Sequence, residues 1–285
     1  MKYVYFALIL AACSKKPVDP PKVAAPLSDG VTEFDKDEDA FEQVLKSDPA
    51  LLAIGEAHAQ RGATVASSAK RFTDELLPLL AGRASDLLVE LMMPPKGCAK
   101  ESAAMRQTQK PVLTQQAPTN QNEYVAMGDA ARKLGIVPDL LRPSCDDLAS
   151  INDAGDDVDG SAEGGTSQMA KIERSLETIA RLTTAQGTKM LARAGRKMVV
   201  SYGGALHNDA SPPPERAAWA FGPALSQAAG GRYVELDLYV PDFITSDETW
   251  TKQPWYPKWK AHEASHEAVL IELAPKNFVL VLRKI

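Results

Sequence analysis

The sequence predicts an α/β fold: a largely parallel central sheet with helices on both faces and a C-terminal antiparallel hairpin. Three observations predict it. Short continuous apolar runs, as expected of strands buried on both faces, alternate with segments whose apolar residues recur at helical spacing. Parallel strands need a crossover connection, and a helix supplies it. The last two runs differ, being separated only by Ala274-Pro275-Lys276-Asn277, which suits a hairpin. Finally, 45% of the 285 residues are hydrophobic and 24% charged, enough apolar material for one sizeable core.

Each element has its own justification. Phe41, Val44 and Leu45 mark a short helix, and Leu51-Leu52-Ala53-Ile54 is short enough for a buried strand. Val65 to Leu80 reads as a helix with Phe72, Leu76, Leu79 and Leu80 on one side. Leu87-Leu88-Val89 is the next strand, Tyr124 to Leu134 a helix, and Ile136 to Leu141 a strand interrupted by Pro138. Met169 to Ala194 is a long helical stretch carrying Ile172, Leu176, Ile179, Leu182 and Leu191. Met198-Val199-Val200 is a strand, Ala217 to Ala228 a helix, and Tyr233 to Val240 an alternating strand. Ala268 to Leu273 and Phe278 to Leu282 form the final hairpin.

Composition excludes several classes. Lys plus Arg is 32 and Asp plus Glu is 37, so the net charge is −5. A nucleic-acid binder would want a basic face to displace counterions. Gly 18 and Pro 20 are too few for a collagenous chain, and Cys 3 too few for a disulfide scaffold.

The N-terminus has its own pattern. Met1-Lys2 and the apolar run from Tyr3 to Ala12 have the charged start and hydrophobic middle of an export signal. Leu10-Ala11-Ala12-Cys13 resembles the lipobox of bacterial lipoproteins, which implies a diacylglycerol on Cys13. Ser14, rather than Asp, after the cysteine leans towards the outer membrane. The expected partner here is the membrane, through this lipid, in the cell envelope. Pro, Lys and small residues then make an extended tether. The expected divisions are a signal over 1–12, a tether over 13–36 and a single α/β domain over 37–285.

In open α/β sheets ligands bind beyond the carboxyl ends of the strands. After the first buried strand comes Gly55-Glu56-Ala57-His58, and at the end of the second stands Glu90. After the strand at Met198 comes Gly203-Gly204-Ala205-Leu206-His207-Asn208. Two carboxylates and two imidazoles thus fall at one edge of one sheet. Such a set can bind a divalent metal or activate a water.

Leu52 through His58 resembles the Gly-Glu-x-His motif of the erythromycin-esterase/ChaN-like and TraB/TIKI superfamily. Val89-Glu90-Leu91 is similar to its second carboxylate, and Val199 through His207 to its late Gly-x-x-His element, with Gly204 three residues before His207. The resemblance spans about residues 50 to 240. It implies an α/β fold with Glu56, His58, Glu90 and His207 as site residues. Members include metal-dependent peptidases, a macrolide esterase and haem-binding lipoproteins. The expected function is metal-assisted or water-activating hydrolysis of an ester or amide in a small molecule or peptide. The alternative is non-catalytic binding of haem or iron. His58 and His207 would ligate the metal with one of Glu56 and Glu90, and the other carboxylate would take a proton from water. Tyr202, Asn208 and Arg61 are candidates for contacts to these groups or to substrate.

Other signals are weaker. His262-Glu263-Ala264-Ser265-His266 matches HExxH, but that motif needs a helix and a strand begins almost at once. Asp146, Asp147, Asp153, Asp156, Asp157 and Asp159 lack EF-hand spacing and read as a solvated loop. Trp250, Trp255, Tyr256 and Trp259 either line a ligand pocket or pack as an arm on the domain. Cys98 and Cys145 both follow strands, so their loops can meet, and a disulfide is expected. Loop-closure entropy puts its stabilisation at about 4 kcal/mol.

Overall fold

The computed structural model describes residues 30–155 and 165–285. Eight strands among them form one sheet: β1 (Val31–Phe34), β2 (Leu51–Glu56), β3 (Ala84–Met92), β4 (Val137–Leu141), β5 (Met198–Gly204), β6 (Tyr233–Tyr239), β7 (Ala268–Ala274) and β8 (Asn277–Val281). Their order is β1-β7-β8-β6-β2-β5-β3-β4. Every pairing from β8 across to β4 is parallel, and β7 runs antiparallel to both β8 and β1. The fold is therefore α/β, with the C-terminal hairpin closing one side. The central position of β2 explains its unbroken apolar run, since all six of its residues are buried. Pro138 is tolerated because β4 is an edge strand, where one face of the ladder needs no partner.

Helices α1 (Asp37–Leu45), α2 (Ser68–Arg71), α3 (Ala99–Leu113), α4 (Asn120–Lys133), α5 (Cys145–Asp153), α6 (Gly165–Ala194) and α7 (Gly222–Ala228) connect the strands. The side-chain alternation of a strand divides them between two layers. Leu52 and Ile54 of β2 face one core with Phe41, Phe72, Leu76 and Met127, from α1, α2 with its continuation, and α4. Leu51 and Ala53 face the other with Ile179, Leu182 and Met190 of α6 and Leu225 of α7. Among the described residues no helix is long and apolar enough to cross a membrane.

Several expectations change. A strand, Val31–Phe34, stands within the stretch expected to be tether. Val31 and Phe34 are buried, and β1 pairs with β7, so the last part of the expected tether is an edge strand. Four residues with only two apolar side chains are too short to show a period. The signal, Cys13 and the tether up to residue 29 lie outside the described residues. The single helix expected from Val65 to Leu80 is α2 followed by a π turn over Phe72–Leu76 and a 3-10 turn over Leu77–Leu80. Pro78 lacks the N–H that would continue the α ladder. The helix expected from Ala217 is a 3-10 turn over Pro214–Trp219 and then α7. Asp146, Asp147 and Asp153 lie in α5, not in a loop. Ser144 and Asp147 cap it reciprocally, each side chain accepting the other's backbone N–H. Asp156, Asp157 and Asp159 lie outside the described residues.

The aromatic arm packs on the domain. Trp255, Tyr256 and Trp259 are buried against Val31, Ile271, Val279 and Val281, and Trp255 stacks on Tyr239 with ring centres 5.0 Å apart. Its apolar area is thereby spent on the sheet.

Cys98 and Cys145 form a disulfide, with Cα atoms 5.3 Å apart. It joins the residue before α3 to the first residue of α5, and Cys98 is fully buried beside Met105, Leu148 and Ile151. Alkylation of the native protein without reductant is expected to add no mass at these two positions, and reduction should open both. Adducts before reduction, read by peptide mass spectrometry, would refute the bridge.

Candidate active site at the carboxyl ends of three strands

Strands β2, β5 and β3 are neighbours, in that order, and all point the same way. Glu56 closes β2, opposite Gly204 at the end of β5, and Glu90 stands near the end of β3. His58 and His207 follow β2 and β5 by a few residues. Three segments far apart in sequence thus meet where the sheet's carboxyl edge opens.

Glu56 is buried and fully engaged. Its Oε1 accepts from the Tyr124 hydroxyl at 2.8 Å and from His58 Nδ1 at 2.9 Å. Its Oε2 accepts from the Tyr202 hydroxyl at 2.8 Å. Three donors compensate the charge for lost water. Burial, then the charge of Glu56, pushes both phenols well above the ordinary tyrosine range, so they remain donors. Burial pulls the His58 pKa down, but the Glu56 hydrogen bond and charge, with the charge of Glu90, outweigh it. The net shift is upward from 6.5. A carboxylate only accepts, so His58 Nδ1 carries the proton and Nε2 is the bare nitrogen of the neutral ring.

His207 follows the same logic. It is buried, and its Nδ1 lies 2.6 Å from the carbonyl oxygen of Trp219, which can only accept. Its Nε2 therefore faces Glu90 Oε1, 3.7 Å away. That gap is too long for a hydrogen bond and suits a bridging water or substrate oxygen. Glu90 Oε2 is held by the Gly204 N–H at 2.8 Å.

Two glycines make room for this. A Cβ on Gly203 would lie 2.1 Å from Glu90 Oε2, so any side chain there displaces the carboxylate. A Cβ on Gly204 would meet no clash. It would lie 3.9 Å from His58 Nε2, 3.9 Å from Glu90 Oε2 and 3.8 Å from His207 Cδ2. The bare face of Gly204 is thus a cradle on which both imidazoles and Glu90 converge.

Of the contact candidates, Tyr202 touches Glu56 directly. Asn208 does not reach the cluster. Its Nδ2 donates to Asp237 Oδ1 at 2.9 Å and its carbonyl accepts from Tyr233, which ties the His207 loop to β6. Arg61 Nε donates to the Thr114 carbonyl at 2.7 Å, and Arg61 lines a neighbouring cleft of about 500 Å³. Tyr124 and the Trp219 carbonyl were not anticipated. Tyr124 reads from sequence as one more apolar position on a helix, and a backbone oxygen carries no sequence signal. His262 and His266 lie past the short helix Tyr256–Lys260, and His262 pairs with Glu33 of β1 at 2.9 Å. The stretch between them is a turn and not a helix, so the two imidazoles do not share a helix face.

Below the His207 loop, burial pushes Glu235 up to about 8 and Asp237 up to about 6. Glu235 accepts the Ala210 N–H at 2.9 Å. A carboxyl raised on folding binds its proton more tightly when folded. Its contribution is therefore full below the ordinary 4.5 and is lost as pH rises towards about 8. Across that window stability should fall by up to about 1.4 kcal/mol per pH unit, and the thermal midpoint should fall with it. Glu235→Gln should flatten the slope in calorimetry, and an unchanged slope would contradict the assignment.

Two histidines and a carboxylate have the donor chemistry of many divalent-metal sites. Yet among the described residues no three His, Cys, Asp or Glu side chains stand close enough to enclose a metal ion.

No known family model matches the chain, and no curated protein matches it. Among solved structures, the type III effector HopBA1 matches with a TM-score of 0.41 and 11% identity, over 91% of this chain and 100% of that one.

Proposed function

We propose that the protein is a hydrolase that activates water for attack on an ester or amide. The observation that carries this reading is the pair of imidazoles. Each has Nδ1 tied to an acceptor, which leaves Nε2 bare: that of His58 is turned to the open face of Gly204, and that of His207 to Glu90 Oε1. A water in that cradle can donate one proton to His58 Nε2 and the other to Glu90. His58 takes the first as the water oxygen attacks the carbonyl carbon, and Glu56 stabilises the imidazolium that forms. The tetrahedral intermediate collapses when His58 returns the proton to the leaving oxygen or nitrogen. An upward-shifted His58 suits a base working near neutral pH. Tyr124 and Tyr202 fix Glu56, and so fix the ring it holds.

The resemblance of Gly55-Glu56-Ala57-His58 and Gly204 to His207 to the esterase and peptidase superfamily points the same way. On the lipobox reading of Cys13 the enzyme works tethered in the cell envelope. A second reading, a divalent cation on His58, His207 and Glu90, is favoured by one feature. Metal-binding histidines usually donate their other ring N–H to a carboxylate or carbonyl, as both do here. Rates with chromogenic esters and amides, with and without chelator, test the reading. Turnover that survives chelation supports direct activation, and turnover restored only by added metal supports the cation. No turnover with either, together with a Soret band on haem titration, would sink both in favour of haem binding.

A further inference from the structure

Beside the site lies a cleft of about 500 Å³. Leu91 and Met92, immediately after Glu90, form part of it, and so does Arg61, three residues after His58. The opposite wall is α3. Ser102, Met105, Arg106, Gln109 and Lys110 all face the cleft, and their spacing of three, one, three and one is one stripe of a helix. The disulfide at Cys98 anchors the start of this helix. The loop carrying Arg61 is clipped to the segment after it: the Arg61 N–H donates to the Gln115 carbonyl at 2.8 Å, and the Ala117 N–H to the Ala59 carbonyl at 2.8 Å. Both walls are therefore held in place.

The charge of the lining is one-sided. Arg61, Arg106 and Lys110 are cationic, and among the described residues no carboxylate lines the cleft. Among the described residues none of the three has an ion-pair partner. This is unusual in a chain of net charge −5, where acids outnumber bases. Three cations over low-dielectric walls attract an anion and raise its local concentration. Met92, Met105 and Leu91 give the same cleft an apolar floor that adapts to varied shapes.

We infer that this cleft is the substrate subsite, and that the substrate carries an anionic head, carboxylate or phosphate, on an apolar body. The inference rests on the hydrolase reading for the position of the scissile bond, which lies towards His58 and Glu90. The head sits on Arg61, Arg106 and Lys110. Arginine suits either oxyanion, since its planar fork can donate two hydrogen bonds to one group.

The test compares two p-nitrophenyl esters of equal chain length, one neutral and one ending in a carboxylate, on the full chain. The anionic ester should have at least about tenfold higher kcat/KM, with the difference in KM and shrinking as salt is raised. Arg106→Glu and Lys110→Glu should each bring the ratio close to one. Lys133→Glu, an equal charge change at the end of α4, should leave it. Alkyl phosphate and alkyl carboxylate inhibitors of one length then identify the preferred head group. Equal kcat/KM for the two esters overturns the inference and leaves the hydrolase reading standing. If neither ester is turned over, the hydrolase reading fails and calorimetry with the same two inhibitors decides the cleft alone. Binding that is lost in Arg106→Glu supports it, and no binding overturns it.

Discussion

His58→Ala should lower kcat by about 10²- to 10⁴-fold, because it deletes the group that takes the proton. The loss should appear equally in kcat and kcat/KM, the mark of an interaction made only in the transition state. Gly204→Ala tests the same place without removing any functional group. Its methyl would sit 3.9 Å from His58 Nε2 and from Glu90 Oε2, inside the cradle and clear of clashes. Thermal stability should hold while turnover collapses. A Gly204→Ala protein with full activity would show that the reacting atoms lie elsewhere. Glu56→Gln adds the pH dependence. His58 must be neutral to accept a proton, so wild-type activity should rise with pH through a midpoint above 6.5. The Gln variant removes the charge that raises this value and keeps the burial that lowers it. Its rising limb should move to lower pH while its maximum falls. A limb that stays in place would assign the titration to another group.

Asp37→Ala should destabilise the protein by about 3 kcal/mol, since it removes the buried partner of a buried cation. Asp37 and Arg71 form an ion pair in which both side chains are almost wholly buried. Asp37 Oδ1 also accepts the Arg283 N–H at 2.7 Å, and Arg71 donates to the Arg283 carbonyl at 2.7 Å. The pair therefore fastens α1, α2 and the segment after β8 to one another. Burial pushes the Asp37 carboxyl up to about 6, against the pull of the Arg283 amide and of Arg71. At pH 7.5 it is ionised, and its removal leaves Arg71 with only the long, partly exposed contact to Glu75 at 3.4 Å. Adding Arg71→Met should recover most of the loss, because the stranded charge goes with it. Urea unfolding of the two variants checks this. A double variant as unstable as Asp37→Ala would show that lost packing, not the uncompensated charge, sets the cost.

The parts of the fold legible in the sequence are those with a clear period. β2, β3, β5 and β6 are buried on both sides, and their apolar runs stand out. α6 is long enough for its stripe to repeat. β1, α3 and α5 were not legible for three different physical reasons. β1 has four residues. α3 turns cations and glutamine towards a cleft, so its apolar stripe is diluted. α5 owes its start to a capping box, which reads locally as a polar loop. The single helix expected across Pro78 failed because apolar spacing persists through a change of helix type that only hydrogen bonding reveals.

The site divides along the same line. Sequence by itself determined which side chains stand at the strand ends: Glu56, His58, Glu90 and His207. Strand identity and sheet polarity follow from local pattern, and local pattern is written in consecutive residues. It also marked Cys98 and Cys145 as partners. Tertiary structure decided what each group can do. The order β2-β5-β3 sets the Gly204 face between the two carboxylates. Tyr124 from α4 and Tyr202 from β5 saturate Glu56, which makes it the orienting group and leaves Glu90 open. The Trp219 carbonyl sets the tautomer of His207. These assignments depend on which hydrogen bonds are already taken, and that is settled by distances between segments that share no local sequence.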